Sequence, residues 1–300
     1  MKLGELMAIL GIASSLIPSV GNLALIAVPV NEAKVAFNRM FEFTDIQSET
    51  KEQENSLLIF ENMHIQNLSF RFPGRKKLLE NVSITLKKGE LVAIVGESGS
   101  GKSTLANLLQ KFYEAENGNI IINKSRDLKN INTNNWRAVI GVVPQDIHIF
   151  NGNVMDNICL DDSQKHTENV LKFLNNYGFT KYINNLPQSY MTLLGEEGIN
   201  LSGGQKQIIA FARALYKNPQ ILILDEATAA MDRETESFIT GLLMKLKQEK
   251  AVFYISHRLH TLKSLADKIY ILEKGKVSTS GTHAELMKTQ NFYSDYWKMF

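Results

Sequence analysis

Leu91-Val92-Ala93-Ile94-Val95-Gly96-Glu97-Ser98-Gly99-Ser100-Gly101-Lys102-Ser103-Thr104 is the stretch that decides the fold. Its first five residues are apolar throughout, the pattern of a strand buried on both faces, and such strands belong to parallel sheets covered by helices. Gly96 to Ser103 fits G-x-x-x-x-G-K-[ST], and a helical pattern over Thr104 to Phe112 follows. Strand, glycine-rich loop and helix in that order are the context in which this motif holds phosphate. Glycines let the backbone wrap so that successive N–H groups converge on phosphate oxygens. The start of the helix adds partial positive charge. Lys102 is then placed for the terminal phosphates and the Ser103 hydroxyl for Mg²⁺. A glycine-rich turn without function is the competing reading, and the flanking strand and helix speak against it.

Working outward, Ile221 to Leu224 and Val252 to Ile255 are further short runs of wholly apolar residues, with helical patterns between them. They predict an α/β domain with a largely parallel sheet. His64 to Phe72 and Val82 to Leu86 alternate as strands do. Asp225 and Glu226 stand at the carboxyl end of the strand Ile221 to Leu224, the edge at which open parallel sheets bind ligands. Asp225 suits Mg²⁺ held mostly through water, and Glu226 a base for the water that attacks a γ-phosphate. The alternative is a pair of carboxylates capping the next helix. Leu201-Ser202-Gly203-Gly204-Gln205 lacks a lysine but precedes a helical stretch, Lys206 to Tyr216, whose first N–H groups are free for an anion. Two phosphate grips in one chain imply a dimer in which the second closes on ATP held by the partner.

Composition limits the other classes. The chain has 300 residues, 44% apolar and 21% charged, an ordinary globular balance. A net charge of +2 with scattered basic residues argues against a nucleic-acid surface. The single cysteine, Cys159, excludes an internal disulfide and reads as a small buried hydrophobe. Leu6 to Val30 carries no charged residue, and about 20 apolar residues suffice to span a bilayer as a helix. A signal peptide and a buried soluble helix are the competing readings. Residues 31 to 55 look helical at first, and Gln47 to Asn55 is a polar linker.

On these residues the chain resembles the ABC ATPases over residues 61 to 300, with Leu201 to Gln205 matching the family signature. The resemblance implies further roles. Gln145 in Val-Val-Pro-Gln-Asp resembles the Q-loop, which contacts Mg²⁺ and couples to the membrane domain. Asp232 in Ala-Ala-Met-Asp resembles the D-loop, and His257 in Tyr-Ile-Ser-His-Arg the switch histidine that contacts the γ-phosphate. Phe72 resembles the aromatic that stacks on adenine, with Phe70 as the alternative. The implied catalytic set is Glu226, His257, Lys102 and Gln145. Phe72 and Gly96 through Thr104 bind ATP, and Leu201 through Gln205 with Asp232 bind the partner's ATP. Ser103, Gln145 and Asp225 serve the metal. Met231 stands where leucine is usual and Phe72 where tyrosine is, and neither change removes a catalytic group.

The implied fold is an α/β P-loop NTPase of the ABC type, preceded by one long apolar helix. It has a RecA-like core with a mostly parallel sheet, an antiparallel β subdomain and a helical subdomain at about residues 146 to 215. Residues 1 to 45 resemble the last transmembrane helix of an exporter-type half-transporter, and 46 to 60 its linker. Leu194-Gly-Glu-Glu-Gly198 resembles the exporter X-loop, and Phe150 to Ile158 the exporter helical subdomain. The stub is similar to bacterial peptide and bacteriocin exporters, so five further membrane helices are expected outside this chain. The expected partners are a second cassette, as a homodimer, and a transmembrane domain. The expected setting is a bacterial inner membrane, with the cassette in the cytoplasm and ATP and Mg²⁺ bound. An importer cassette would not carry a fused apolar helix. An ABC protein acting on DNA or ribosomes would need a long insertion or a second cassette. A non-catalytic cassette would have lost one of Lys102, Asp225, Glu226 or His257.

Overall fold

The computed structural model describes residues 2–42, 44, 58–160, 163–195 and 198–298, without the side chains of 163–166. Most of the 46–60 linker, and Glu196 and Glu197 of the X-loop, lie outside the described residues. The chain divides into two compact units, Met1–Lys51 and Glu52–Phe300.

The first unit is helical from Leu3–Leu25 and again from Ala27–Glu42. The interruption at Ile26 precedes Pro29, which has no N–H to give the Leu25 carbonyl and whose ring crowds it. The hydroxyls of Ser14, Ser15 and Ser19 donate to carbonyls of the preceding turn, so they carry no unsatisfied donor into an apolar medium. The apolar side chains are exposed along the whole run. Leu3–Glu42 is long and apolar enough to cross a membrane by length and composition. At 1.5 Å per residue, Leu3–Leu25 alone rises about 35 Å, against a hydrocarbon core of about 30 Å.

The second unit is organised by a six-stranded sheet in the order Lys276–Gly281, Lys268–Glu273, Leu91–Val95, Ala251–Ile255, Ile221–Asp225, Ile140–Val143. Every neighbouring pair is parallel except the first. Side chains alternate between two cores, with Ala93, Leu222, Leu224 and Val252 in one and Val92, Ile94, Ile221 and Phe253 in the other. Burial on both faces is what the unbroken apolar runs encode. The first core is closed by the helix Gly203–Tyr216, through Ile208, Phe211 and Leu215, and by the helical subdomain. The second is closed by the helix Lys102–Leu109 and a four-stranded antiparallel sheet, ordered Leu79–Lys87, Asn62–Phe70, Asn117–Ile122, Arg126–Asp127. Cys159 is buried, as a small hydrophobe should be.

Two helix boundaries differ from the sequence reading. The phosphate-loop helix runs Lys102–Leu109 and not to Phe112, because Lys111 turns left-handed at φ 58° and ends it. The signature helix starts at Gly203, three residues before Lys206, because Ser202 and Gln205 close a capping box around its first turn.

Candidate active site

Strand register lines up the chemistry. Ile255 pairs with both Ile94 and Asp225, and Val143 pairs with Leu224. Gly96, Gln145, Asp225-Glu226 and Ser256-His257 therefore emerge along one edge, the carboxyl edge of the sheet.

Two glycines of the loop hold conformations that a side chain would strain. Gly96 has φ +151°, and a Cβ there would lie 2.0 Å from the Leu272 carbonyl oxygen. Gly101, at φ +104°, would put one 2.6 Å from the Leu79 side chain. Gly101 also caps the helix Lys102–Leu109 without a side-chain hydrogen bond, which leaves its first N–H groups for an incoming anion. Lys102 is buried, and its Nζ donates to the carbonyls of Gly96 at 2.9 Å and Glu97 at 2.8 Å. Two of its three protons are thus spent on holding the loop, and one remains for phosphate. Burial lowers the Lys102 pKa, against the pull of Glu226 and Asp225.

Asp225 is 8% exposed, and its Oδ1 has no hydrogen-bond partner among the described residues. Burial holds its pKa above the usual carboxylate value, and the Ser103 hydroxyl only partly offsets this. The Ser100 hydroxyl is likewise buried without a partner. Among the described residues four buried side-chain polar atoms are orphaned, and two of them lie in this one site. An unpaired carboxylate oxygen beside a serine hydroxyl is a hard, all-oxygen donor set, so these residues fit Mg²⁺. Glu226 holds a left-handed backbone, φ 50°, immediately after the strand. That conformation is costly for a residue with a Cβ. Its Oε1 lies 3.0 Å from Nε2 of His257, and both side chains are partly open to solvent.

Of the two adenine candidates, Phe70 is buried at 5% exposure, whereas Phe72 is half-buried. Phe72 stands edge-on to Phe70 and to Tyr113, with ring centroids 5.0 and 5.3 Å apart. Tyr113 is exposed beside them and is not legible from the sequence pattern. Gln145 is exposed just beyond the edge strand Ile140–Val143.

The signature and Asp232 form a second group. Ser202 Oγ accepts from the Gln205 N–H at 3.2 Å, and Gln205 Oε1 accepts from the Ser202 N–H at 2.9 Å. The Gly203 and Gly204 amides make no hydrogen bond among the described residues. Leu201 is buried in the core and places the loop without presenting a polar group. Asp232 caps the helix Arg233–Leu246 through Thr235 N–H at 2.8 Å, and that bond holds its pKa below the usual value. Ser202, Gly204, Gln205 and Asp232 line one cavity of about 240 Å³ with Lys181 and Glu234, which pair across it. Met231 fills an apolar position in the core, which accounts for its tolerance where leucine is usual.

A profile of the ABC transporter family matches residues 79–229. The leukotoxin translocation ATP-binding protein LktB of Mannheimia glucosida is 38% identical over 300 residues, covering 99% of this chain and 42% of that protein. The alpha-hemolysin translocation ATP-binding protein HlyB of Escherichia coli O6:H1 is 37% identical, covering 100% and 42%. A bacterial Atm1-family ABC exporter solved with ATP bound superposes at TM-score 0.81 and 33% identity, covering 90% of this chain and 47% of that one. The chain thus spans about two-fifths of the length of these curated relatives. With the phosphate loop, the Asp225–Glu226 edge and the signature helix in place, the chain belongs to the ABC transporter family and is an ATP-binding, ATPase-type domain of it.

Proposed function

We propose that this chain is the ATP-hydrolysing cassette of a bacterial exporter, and that two cassettes close on two ATP–Mg²⁺. The observation that carries the reading is the division of the site. One group holds everything needed to bind ATP and activate water, while the other offers free amides at Gly203 and Gly204 beside Asp232. In the closed pair, each signature would complete the site of the other chain.

Phe72 would stack on adenine, and the loop amides with the remaining Lys102 proton would hold the phosphates. Ser103 and Asp225, with Gln145 at the neighbouring strand end, would hold Mg²⁺, which supplies charge neutralisation at the terminal phosphates. Glu226 accepts the proton of the attacking water, and His257, whose Nε2 lies 3.0 Å from its Oε1, keeps the carboxylate in place. Ser202, Gly203 and Gly204 donate to the γ-phosphate held by the partner, so hydrolysis removes the group that both chains share and lets them part. Leu3–Glu42, read as crossing the inner membrane, would carry that motion to the membrane domain. The relatives' names, leukotoxin and alpha-hemolysin translocation, support a protein cargo over a lipid or a drug.

ATP turnover of the chain in detergent, measured against protein concentration, tests this. Specific activity should rise with concentration and vanish in Glu226→Gln. Activity independent of concentration would refute the two-cassette site.

A further inference from the structure

Arg258 follows His257 in sequence and reaches over to the turn that follows Glu226. Its Nη2 donates to the Ala229 carbonyl at 2.7 Å, and its Nη1 to Glu236 Oε2 at 2.7 Å. Glu236 sits on the helix that Asp232 caps. Its Oε1 accepts from Thr261 Oγ1 at 2.8 Å, with His260 Nε2 3.6 Å from that same oxygen. One guanidinium therefore joins the histidine loop, the Ala229–Asp232 turn and the helix Arg233–Leu246. A planar fork can serve two acceptors at once, which a lysine cannot do with the same geometry.

The opposite side of the turn is held by the signature helix. Gln207 is buried, and its Oε1 accepts from the Ala230 N–H at 3.3 Å while its Nε2 lies 3.5 Å from the Glu226 carbonyl oxygen. Gly203 packs so closely that a Cβ there would lie 2.6 Å from Ala230 Cβ. The segment Glu226–Asp232 is thus clamped between Arg258 and the signature helix. Its first residue belongs to the hydrolytic group and its last to the group offered to the partner.

We propose that Arg258 is a positioning residue that sets Asp232 and the start of the signature helix relative to the Glu226–His257 pair. Contact of His257 with a γ-phosphate in one cassette thereby fixes the grip that this cassette presents to its partner's ATP. The assignment rests on the two-cassette reading above and adds the element that links the two sites.

The test compares the full chain in detergent with Arg258→Ala, Arg258→Lys and Glu236→Gln. It reads nucleotide affinity, turnover and amide hydrogen exchange with and without Mg²⁺–ATP. Loss of a charged hydrogen-bond donor from a reaction-competent arrangement should lower kcat about tenfold or more in Arg258→Ala. Nucleotide affinity and ATP-dependent protection of residues 96–104 should stay at the parental level, while protection of 202–205 disappears. Arg258→Lys should recover part of kcat, since it can still reach one acceptor. Parental kcat with parental protection at 202–205 would overturn the proposal. So would equal loss of protection at 96–104 and 202–205, the mark of general loosening. If Arg258→Ala does not fold, Glu236→Gln, which removes the anion anchoring the guanidinium, should show the same pattern more weakly. A parent chain that binds ATP without turnover at any concentration would refute the two-cassette reading on its own. The clamp would then be judged by nucleotide-free exchange of residues 230–233, which Arg258→Ala must accelerate; unchanged exchange overturns it.

Discussion

Replacing Asp225 by asparagine should stabilise the nucleotide-free protein while abolishing its turnover. Asp225 is 8% exposed, with one carboxylate oxygen unpaired. Burial raises its pKa and the neighbouring Glu226 adds to the rise, against the Ser103 hydroxyl, Lys102 and His257. A carboxyl with a raised folded pKa binds its proton more tightly in the folded state than in the unfolded one. Stability therefore falls as pH climbs from the unfolded value through the folded one, and the whole penalty is present above the latter. Asparagine carries no charge at any pH, so its gain appears at neutral pH and fades in acid. An unsatisfied buried polar group costs about 1–3 kcal/mol, and the Ser103 bond returns roughly 1 of that, leaving up to about 2 kcal/mol. For a domain of this size that is an unfolding temperature higher by up to about 8 °C. Thermal unfolding in detergent without nucleotide or Mg²⁺, at pH 8 and near pH 4, around the ordinary carboxylate value, measures it. Mg²⁺–ATP should then raise the midpoint of the parent and do little for the variant. If Asp225→Asn unfolds at or below the parental temperature at pH 8, or gains equally at both pH values, the carboxylate is not the buried, uncompensated charge described here.

Three further outcomes follow from the same geometry. Glu226→Gln keeps a side chain that can hydrogen-bond His257 but cannot take a proton, so turnover should drop about 10²–10⁴-fold with nucleotide affinity retained; turnover at the parental rate would place the base elsewhere. Gly96→Ala sets a methyl 2.0 Å from the Leu272 carbonyl at a φ of +151°, a strain of at least about 1–3 kcal/mol; lowered stability and lost nucleotide binding are expected, and a parental melting curve would contradict the loop geometry. Phe72→Ala should weaken ATP binding by roughly 1 kcal/mol or more, whereas Phe70→Ala should cost about 3–5 kcal/mol of stability; the reverse assignment of losses would make Phe70 the adenine platform.

The sequence exposes most clearly what depends on local chemistry. The phosphate loop, the strands at 91–95, 221–225 and 251–255, and the acidic pair are each written in consecutive residues. Ile140–Val143 and Lys268–Glu273 are harder to see, because Gly141 weakens the β signal in one and Lys268 and Glu273 shorten the apolar run in the other. The early end of the phosphate-loop helix is hidden because nothing in Lys111 announces a left-handed backbone. Tertiary links are invisible for a deeper reason. Arg258, Gln207 and Tyr113 act across contacts between segments far apart in the chain, and no single-sequence period marks such residues.

The signature illustrates how much a motif leaves undivided. Read as a string, Leu201 to Gln205 offers five equal contacts to a partner's phosphate. The fold assigns them three different tasks. Leu201 is core, and the Gln205 side chain is spent on the Ser202 amide. The Ser202 hydroxyl accepts from the Gln205 N–H, which uses one lone pair and leaves its proton free to donate. The capping box is therefore compatible with phosphate binding. It fixes the serine oxygen and keeps the Gly203 and Gly204 amides directed out of the helix start, where the macrodipole favours an anion. Gly203 has a second constraint, since its closeness to Ala230 leaves no room for a side chain. In the proposed pair of cassettes the same glycine would offer an amide to the partner's nucleotide, and it lets the signature helix lie against the turn that begins at Glu226. On that proposal, recognition of the second nucleotide and the link to the first site would both come from one requirement for the absence of a Cβ.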